Sequence, residues 1–170
     1  MLIELDPVER ITTEAIGPPG KRVFYLQGRK GDRLVTLLVE KQQLELLVAS
    51  VVEILARIGK ETEEGPAEEA MALEDPIVPE WRVGRLSIGY EEDRDLLLLE
   101  AEEQLTEEDE EQEPQMVRFW AAREQMLALA RHGAAVCARG RPRCELCGNP
   151  IDPEGHLCPA LNGHQKMGGE

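Results

Sequence analysis

Residues 22–59 read RVFYLQGRKGDRLVTLLVEKQQLELLVASVVEILARIG, and a change of hydrophobic period inside this stretch decides the fold class. Residues 22–27 are rich in β-formers. GRKGD (28–32) has the composition of a hairpin turn, and LVTLLV (34–39) is a second strand. From Lys41 the period lengthens. Leu44, Leu47, Val48, Val51, Ile54, Leu55 and Ile58 recur at helical spacing, and Gly59 stands where a C-terminal cap belongs. Two strands followed by a broadly apolar helix predict a helix packed across a sheet.

The pattern extends in both directions. LIEL (2–5) and residues 10–16 are further strand candidates, and GPPG (17–20) is a turn. WRVGRLSIGY (81–90) and DLLLLEA (95–101) form a second hairpin through residues 91–94, and QMVRFW (115–120) is another strand. A second helix is expected over about 122–138, with the stripe Met126, Leu129, Ala130, Gly133, Val136 and Cys137, and with His132 beside it, partly exposed. Aligning Leu34-Val35 with Met116-Val117 also aligns Lys41-Gln42-Gln43-Leu44 with Arg123-Glu124-Gln125-Met126. The expected fold is α+β: an antiparallel sheet from two β-β-β-α units, about 1–60 and 81–139, with two helices packed on it. An acidic linker (61–80) and an acidic loop (102–114) interrupt this body, residues 1–139. A zinc-ribbon tail, 140–170, follows it.

The chain has 170 residues, enough for one domain with a small appendage. Apolar residues are 42% and charged residues 31%, so a core is affordable and a fully disordered chain is excluded. No apolar run approaches the roughly 20 residues of a membrane helix. The start, MLIELDPVER, lacks a basic region and an apolar core, so a cytoplasmic location is expected. The net charge is −15, but it is uneven. Residues 61–113 hold three basic and 21 acidic side chains, while 1–60 and 114–170 are nearly balanced. The acidic middle would repel a polyanion, and the basic residues near the ribbon (Arg139, Arg141, Arg143, Lys166) have no aromatic among them to stack a base. Nucleic acid is therefore not the expected partner.

All four cysteines lie in the last 34 residues, where RCELCGNPIDPEGHLCP (143–159) carries the metal chemistry. Cys144-x-x-Cys147-Gly148 is a zinc knuckle: two thiolates on a tight turn approach one ion from the same side. In an extended His156-x-Cys158, residues two apart share a face, so imidazole and thiolate converge. Cys144, Cys147, His156 and Cys158 make a closed Cys3His set, which favours one structural zinc rather than a catalytic one. His164 and Cys137 compete for places in the shell. No phosphate-binding glycine loop, nucleophile elbow or zinc-protease helix is present. The only serines, Ser50 and Ser87, have no nearby histidine and acid in sequence. Lys41, Gln42, Arg82 and Glu100 are polar residues that a cleft could gather.

The run G-R-P-x-C-x-L-C-G-x-P-x-D-P-x-G-H-x-C-P-x-x-N-G, residues 140–163, resembles the C-terminus of an uncharacterised bacterial, mainly actinobacterial, zinc-ribbon family, domain of unknown function 3090. GPPGKRVFYL (17–26), EKQQ (40–43) and WRVG (81–84) extend the resemblance over nearly the whole chain. The acidic run 102–113 and Arg143-Cys144-Glu145, where proline is usual, depart from the pattern without touching the ligand set. The resemblance supports the same four ligands. It also implies a link to histidine-phosphatase-like and lipid-kinase-like proteins, and so to phosphoryl transfer. Two functions follow as expectations. One is a non-enzymatic binding or adaptor protein whose partner is another protein. The other is an enzyme or regulator acting on a phosphorylated small molecule, which would need Lys41 and Arg123 in one cleft.

Overall fold

The structure is a computed structural model and describes residues 1–109 and 111–139. The proposed ligands Cys144, Cys147, His156 and Cys158, and the competitor His164, lie outside the described residues. The strands are β1 (Leu2–Leu5), β2 (Arg10–Ile16), β3 (Val23–Lys30), β4 (Arg33–Val39), β5 (Pro79–Glu91), β6 (Leu96–Glu103) and β7 (Met116–Ala122). Two helices, α1 (Lys41–Ile58) and α2 (Arg123–Arg139), follow β4 and β7. The fold is α+β, with one seven-stranded sheet in the order β1-β7-β6-β5-β4-β3-β2. Among the described residues, no helix is long and apolar enough to cross a membrane.

The sheet is mixed, which corrects the antiparallel expectation. The hairpins β2–β3, β3–β4, β5–β6 and β6–β7 are antiparallel, but β4 pairs with β5, and β1 with β7, in parallel. The reason lies in the connection. A parallel neighbour needs a crossover of a dozen or more residues, and α1 with the segment behind it provides one. The turn between β3 and β4 is also shorter than GRKGD suggests: Gly28 lies inside β3, and only Gly31 and Asp32 turn.

The two ends of the sheet meet. β1 and β2, its terminal strands, are joined by residues 6–9. Within that connector the Val8 N–H donates to Trp120 O of β7, and the Glu9 N–H to Arg29 O of β3, both at 2.8 Å. Gly28 of β3 sits directly against Phe119 of β7: a Cβ there would lie 2.6 Å from the ring. The sheet therefore rolls around a core that includes Leu26, Leu37, Leu97, Leu99 and Phe119, each at most 1% exposed. Full burial of such a side chain contributes about 1.5–3 kcal/mol. Leu44, Leu47 and Val51 bury the inner face of α1, and Met126, Leu129 and Val136 that of α2. The helices touch through Gly133, whose absent side chain would meet Val48 at 3.0 Å.

The same ladder is written twice. Thr12 pairs with Gln27 and Gln27 with Thr36; Ser87 pairs with Glu100 and Glu100 with Arg118. Each helix start is held alike. The Glu40 N–H donates to Gln43 Oε1 (2.8 Å), and Gln43 Nε2 donates to Val83 O (3.0 Å). The Ala122 N–H donates to Gln125 Oε1 (2.8 Å), and Gln125 Nε2 donates to Val8 O (3.2 Å).

Candidate functional site

β4 and β5 part company after the Leu38–Arg82 pair, and, among the described residues, 85–88 of β5 pair only with β6. The other edge of that stretch faces α1 across a groove of about 250 Å³. Leu46, Leu47 and Ser50 line it from the helix, and residues 84–88 line it from the strand. Gln43, tied to Val83 O, closes one end. Leu46 is 69% exposed on the rim. Among the described residues Arg85 is the only charged one in the lining; its side chain is 75% exposed, with Glu102 4.0 Å away. Ser50 and Ser87, the only serines of the chain, both lie here. Among the described residues no carboxylate, imidazole, amine or thiol accompanies them, so these walls offer apolar grip and hydroxyls but no group to take up or deliver a proton near neutral pH.

The charged residues that looked most like chemistry hold the fold. Arg123, named from the sequence, donates to both Asp95 oxygens (2.8 and 3.1 Å), to Glu61 O (2.9 Å) and to Thr62 Oγ1 (3.0 Å). This leaves it little capacity for a phosphate. Tyr90 adds a hydrogen bond to Asp95 at 2.7 Å. The bonds from Arg123 first, and then from Tyr90, lower the Asp95 pKa from 3.8 to about 2. Asp95 also adopts φ 54°, in the left-handed region. Neither Lys41 nor Arg123 lines the groove, so the two are not gathered there. Arg82 is paired with Glu40, and Glu100 accepts from Arg118 at 2.7 Å on the outer face of β6.

His132 departs from its expected exposure: it is buried, at 8%. Nε2 lies 3.0 Å from Glu14 of β2, and Nδ1 bonds Glu68. These acids sit on opposite ring nitrogens and cannot share one ion with the ring. Among the described residues, no group of three or more His, Cys, Asp or Glu is placed to hold a metal.

Glu68 belongs to the segment between α1 and β5, which is no free linker. Gly65 presses on the start of α2, where a Cβ would lie 2.1 Å from Glu124 O. Met71 is 2% exposed. Gln27 brackets the Glu74 backbone, accepting from its N–H (2.8 Å) and donating to its carbonyl (3.1 Å). Burial raises the pKa of the Glu74 carboxyl, but hydrogen bonds from Arg29 and Arg10 outweigh that and leave it below its usual value. A cavity of about 280 Å³ remains between this strap and Ala128, Arg131 and His132. A third, of about 480 Å³, opens beside β1 and the β3–β4 turn.

The sequence missed the groove. Its signal was slight: Leu46 and Ser50, one turn apart at the edge of the apolar stripe, and Ser87 in a strand otherwise read as sheet. No curated protein and no solved structure is significantly similar to the chain. A family model described as a protein of unknown function, DUF3090, matches residues 3–158. That match takes in both helices, all of the strands but the first residue of β1, and the four proposed zinc ligands, and the chain belongs to the DUF3090 family.

Proposed function

We propose that the chain is a non-enzymatic binding protein that engages another protein through the groove between α1 and β5, with a structural zinc held by Cys144, Cys147, His156 and Cys158. The observation that carries this reading is the lining of the groove among the described residues: apolar side chains, two hydroxyls, the Gln43 amide and one arginine, with no acid–base pair. Such a surface can desolvate and orient a partner group. It has nothing with which to activate water or a leaving group. The engagement of Arg123 with Asp95, Glu61 and Thr62 adds support, because it removes the cation most needed for a phosphorylated substrate. Three thiolates and an imidazole suit zinc in a reducing, cytoplasmic compartment.

The test is affinity capture from native lysate with the full chain and with Leu46→Glu, compared by quantitative mass spectrometry. At least one protein should be retained by the native chain and lost by the variant. Identical sets would count against the groove. Turnover of a phosphorylated metabolite that vanishes with Arg123→Met would replace this reading with the enzymatic one.

A further inference from the structure

The groove between α1 and β5 has a counterpart in the other half of the molecule, and the counterpart is filled. The shared ladder and the Gln43–Val83 and Gln125–Val8 bonds fix the equivalences. By the spacing that separates Val8 from Val83, Arg10 corresponds to Arg85 and Thr12 to Ser87. By the spacing that separates Gln43 from Gln125, Ser50 corresponds to His132 and Leu46 to Ala128. In the filled half these positions grip the strap. Arg10 donates to the Ala70 and Ala72 carbonyls and pairs with Glu74 at 3.0 Å. Thr12 Oγ1 donates to Met71 O at 2.6 Å, and His132 bonds Glu68. So one arginine, one hydroxyl and one helix side chain hold an acidic segment that makes a single 3-10 turn at Glu68–Met71 and buries Met71.

Among the described residues, no segment occupies the second set. Arg85 is largely exposed, and among the described residues no hydrogen bond joins Ser50 or Ser87 to a segment lying in the groove. From this, and resting on the binding reading above, we infer that the groove between α1 and β5 receives an acidic peptide segment of a partner protein. Arg85 takes its carbonyls and carboxylate, Ser87 a further backbone carbonyl, and Leu46, Leu47 and Leu86 its apolar anchor. The charge of the lining itself selects the occupant: among the described residues Arg85 is its one charged group. A basic segment would meet Arg85 and gain no partner for itself in the lining. The strap shows the chemistry that fits, a glycine for close approach, a buried methionine and flanking carboxylates.

The test uses the full chain with Leu46→p-benzoylphenylalanine and, as probe, a biotinylated peptide with the strap's own sequence, EGPAEEAMALED (residues 64–75). Illumination should crosslink the peptide to the chain, with yield saturating as peptide is added. Arg85→Glu should cut the yield at least tenfold, and Arg85→Lys should restore most of it. No crosslink at millimolar peptide would overturn the inference, as would a yield indifferent to Arg85→Glu. A crosslink from position 46 to residues 140–170 of the same chain, or to a second copy, would also overturn it by naming another occupant. If the peptide fails while Leu46→Glu still loses a captured protein, this recognition mode falls and the binding reading stands.

Discussion

Gln43 and Gln125 do the same work in the two halves: each accepts the N–H that precedes its helix and donates to a strand carbonyl, Val83 O at 3.0 Å and Val8 O at 3.2 Å. The bond from Gln125 reaches the connector that joins the two ends of the sheet, so it secures the closure of the roll. Gln125→Ala and Gln43→Ala should each cost about 1–2 kcal/mol in denaturant unfolding, since a largely buried carbonyl loses its donor and a cap is lost with it. A change within experimental error for both variants would show that neither clamp matters.

The strap is built on the absence of one side chain. Gly65→Ala would bring a Cβ to 2.1 Å from Glu124 O, so the strap must lift from α2. The expected cost is about 1–3 kcal/mol, with faster hydrogen exchange through residues 65–74. Gly89→Ala is the control: nothing lies within 4 Å of its Cβ position, and its effect should stay within about 0.5 kcal/mol.

Acid should loosen the contact between Asp95 and the start of α2. The folded pKa of Asp95, about 2, lies below its ordinary 3.8. Its contribution is therefore complete above the ordinary value and is lost as pH falls from about 4 through 2. Asp95→Asn should flatten the pH dependence of stability in that window and leave the profile above pH 5 parallel to that of the native chain. Asparagine tolerates the left-handed backbone, so strain does not confuse the comparison. An unchanged acid limb would remove Asp95 from the acid response.

Metal content tests the proposed ribbon. Elemental analysis of the purified chain should return one zinc per chain, and Cys147→Ser or Cys158→Ser should remove it. The far-ultraviolet spectrum and thermal transition of residues 1–139 should persist, because these residues bury a core of their own that includes Leu26, Leu37, Leu97, Leu99 and Phe119. Zinc-free native protein would refute the ligand set, and collapse of the whole fold on chelation would refute the independence of the body.

What the sequence disclosed, and what it hid, follows from the range of the forces involved. The hairpins and both helices were legible because each is encoded by a local period, such as Leu44, Leu47 and Val51 along α1. The parallel pairing of β4 with β5 was not, because it depends on where a crossover returns the chain. The strap was hidden by its own composition. Residues 61–80 look solvated, yet Met71 is buried and side chains distant in sequence, Arg10, Thr12 and Gln27, grip the backbone around it. His132 was misjudged for the same reason: Glu14 and Glu68, which enclose it, come from β2 and from the strap. The groove emerged only when Ser50 and Ser87, unremarkable in separate elements, were brought to facing walls.

The measurement that bears most directly on the function is a hydrogen-exchange footprint of the full chain, free and in complex with the protein it captures. Amides of residues 84–88 on the open edge of β5, and of residues 46–50 on α1, should exchange at least tenfold more slowly in the complex, while residues 65–74 of the strap stay unchanged. Protection confined instead to the outer face around Glu100, Arg118 and Trp120, with the groove exchanging as in the free chain, would contradict the assignment of the groove as the binding surface.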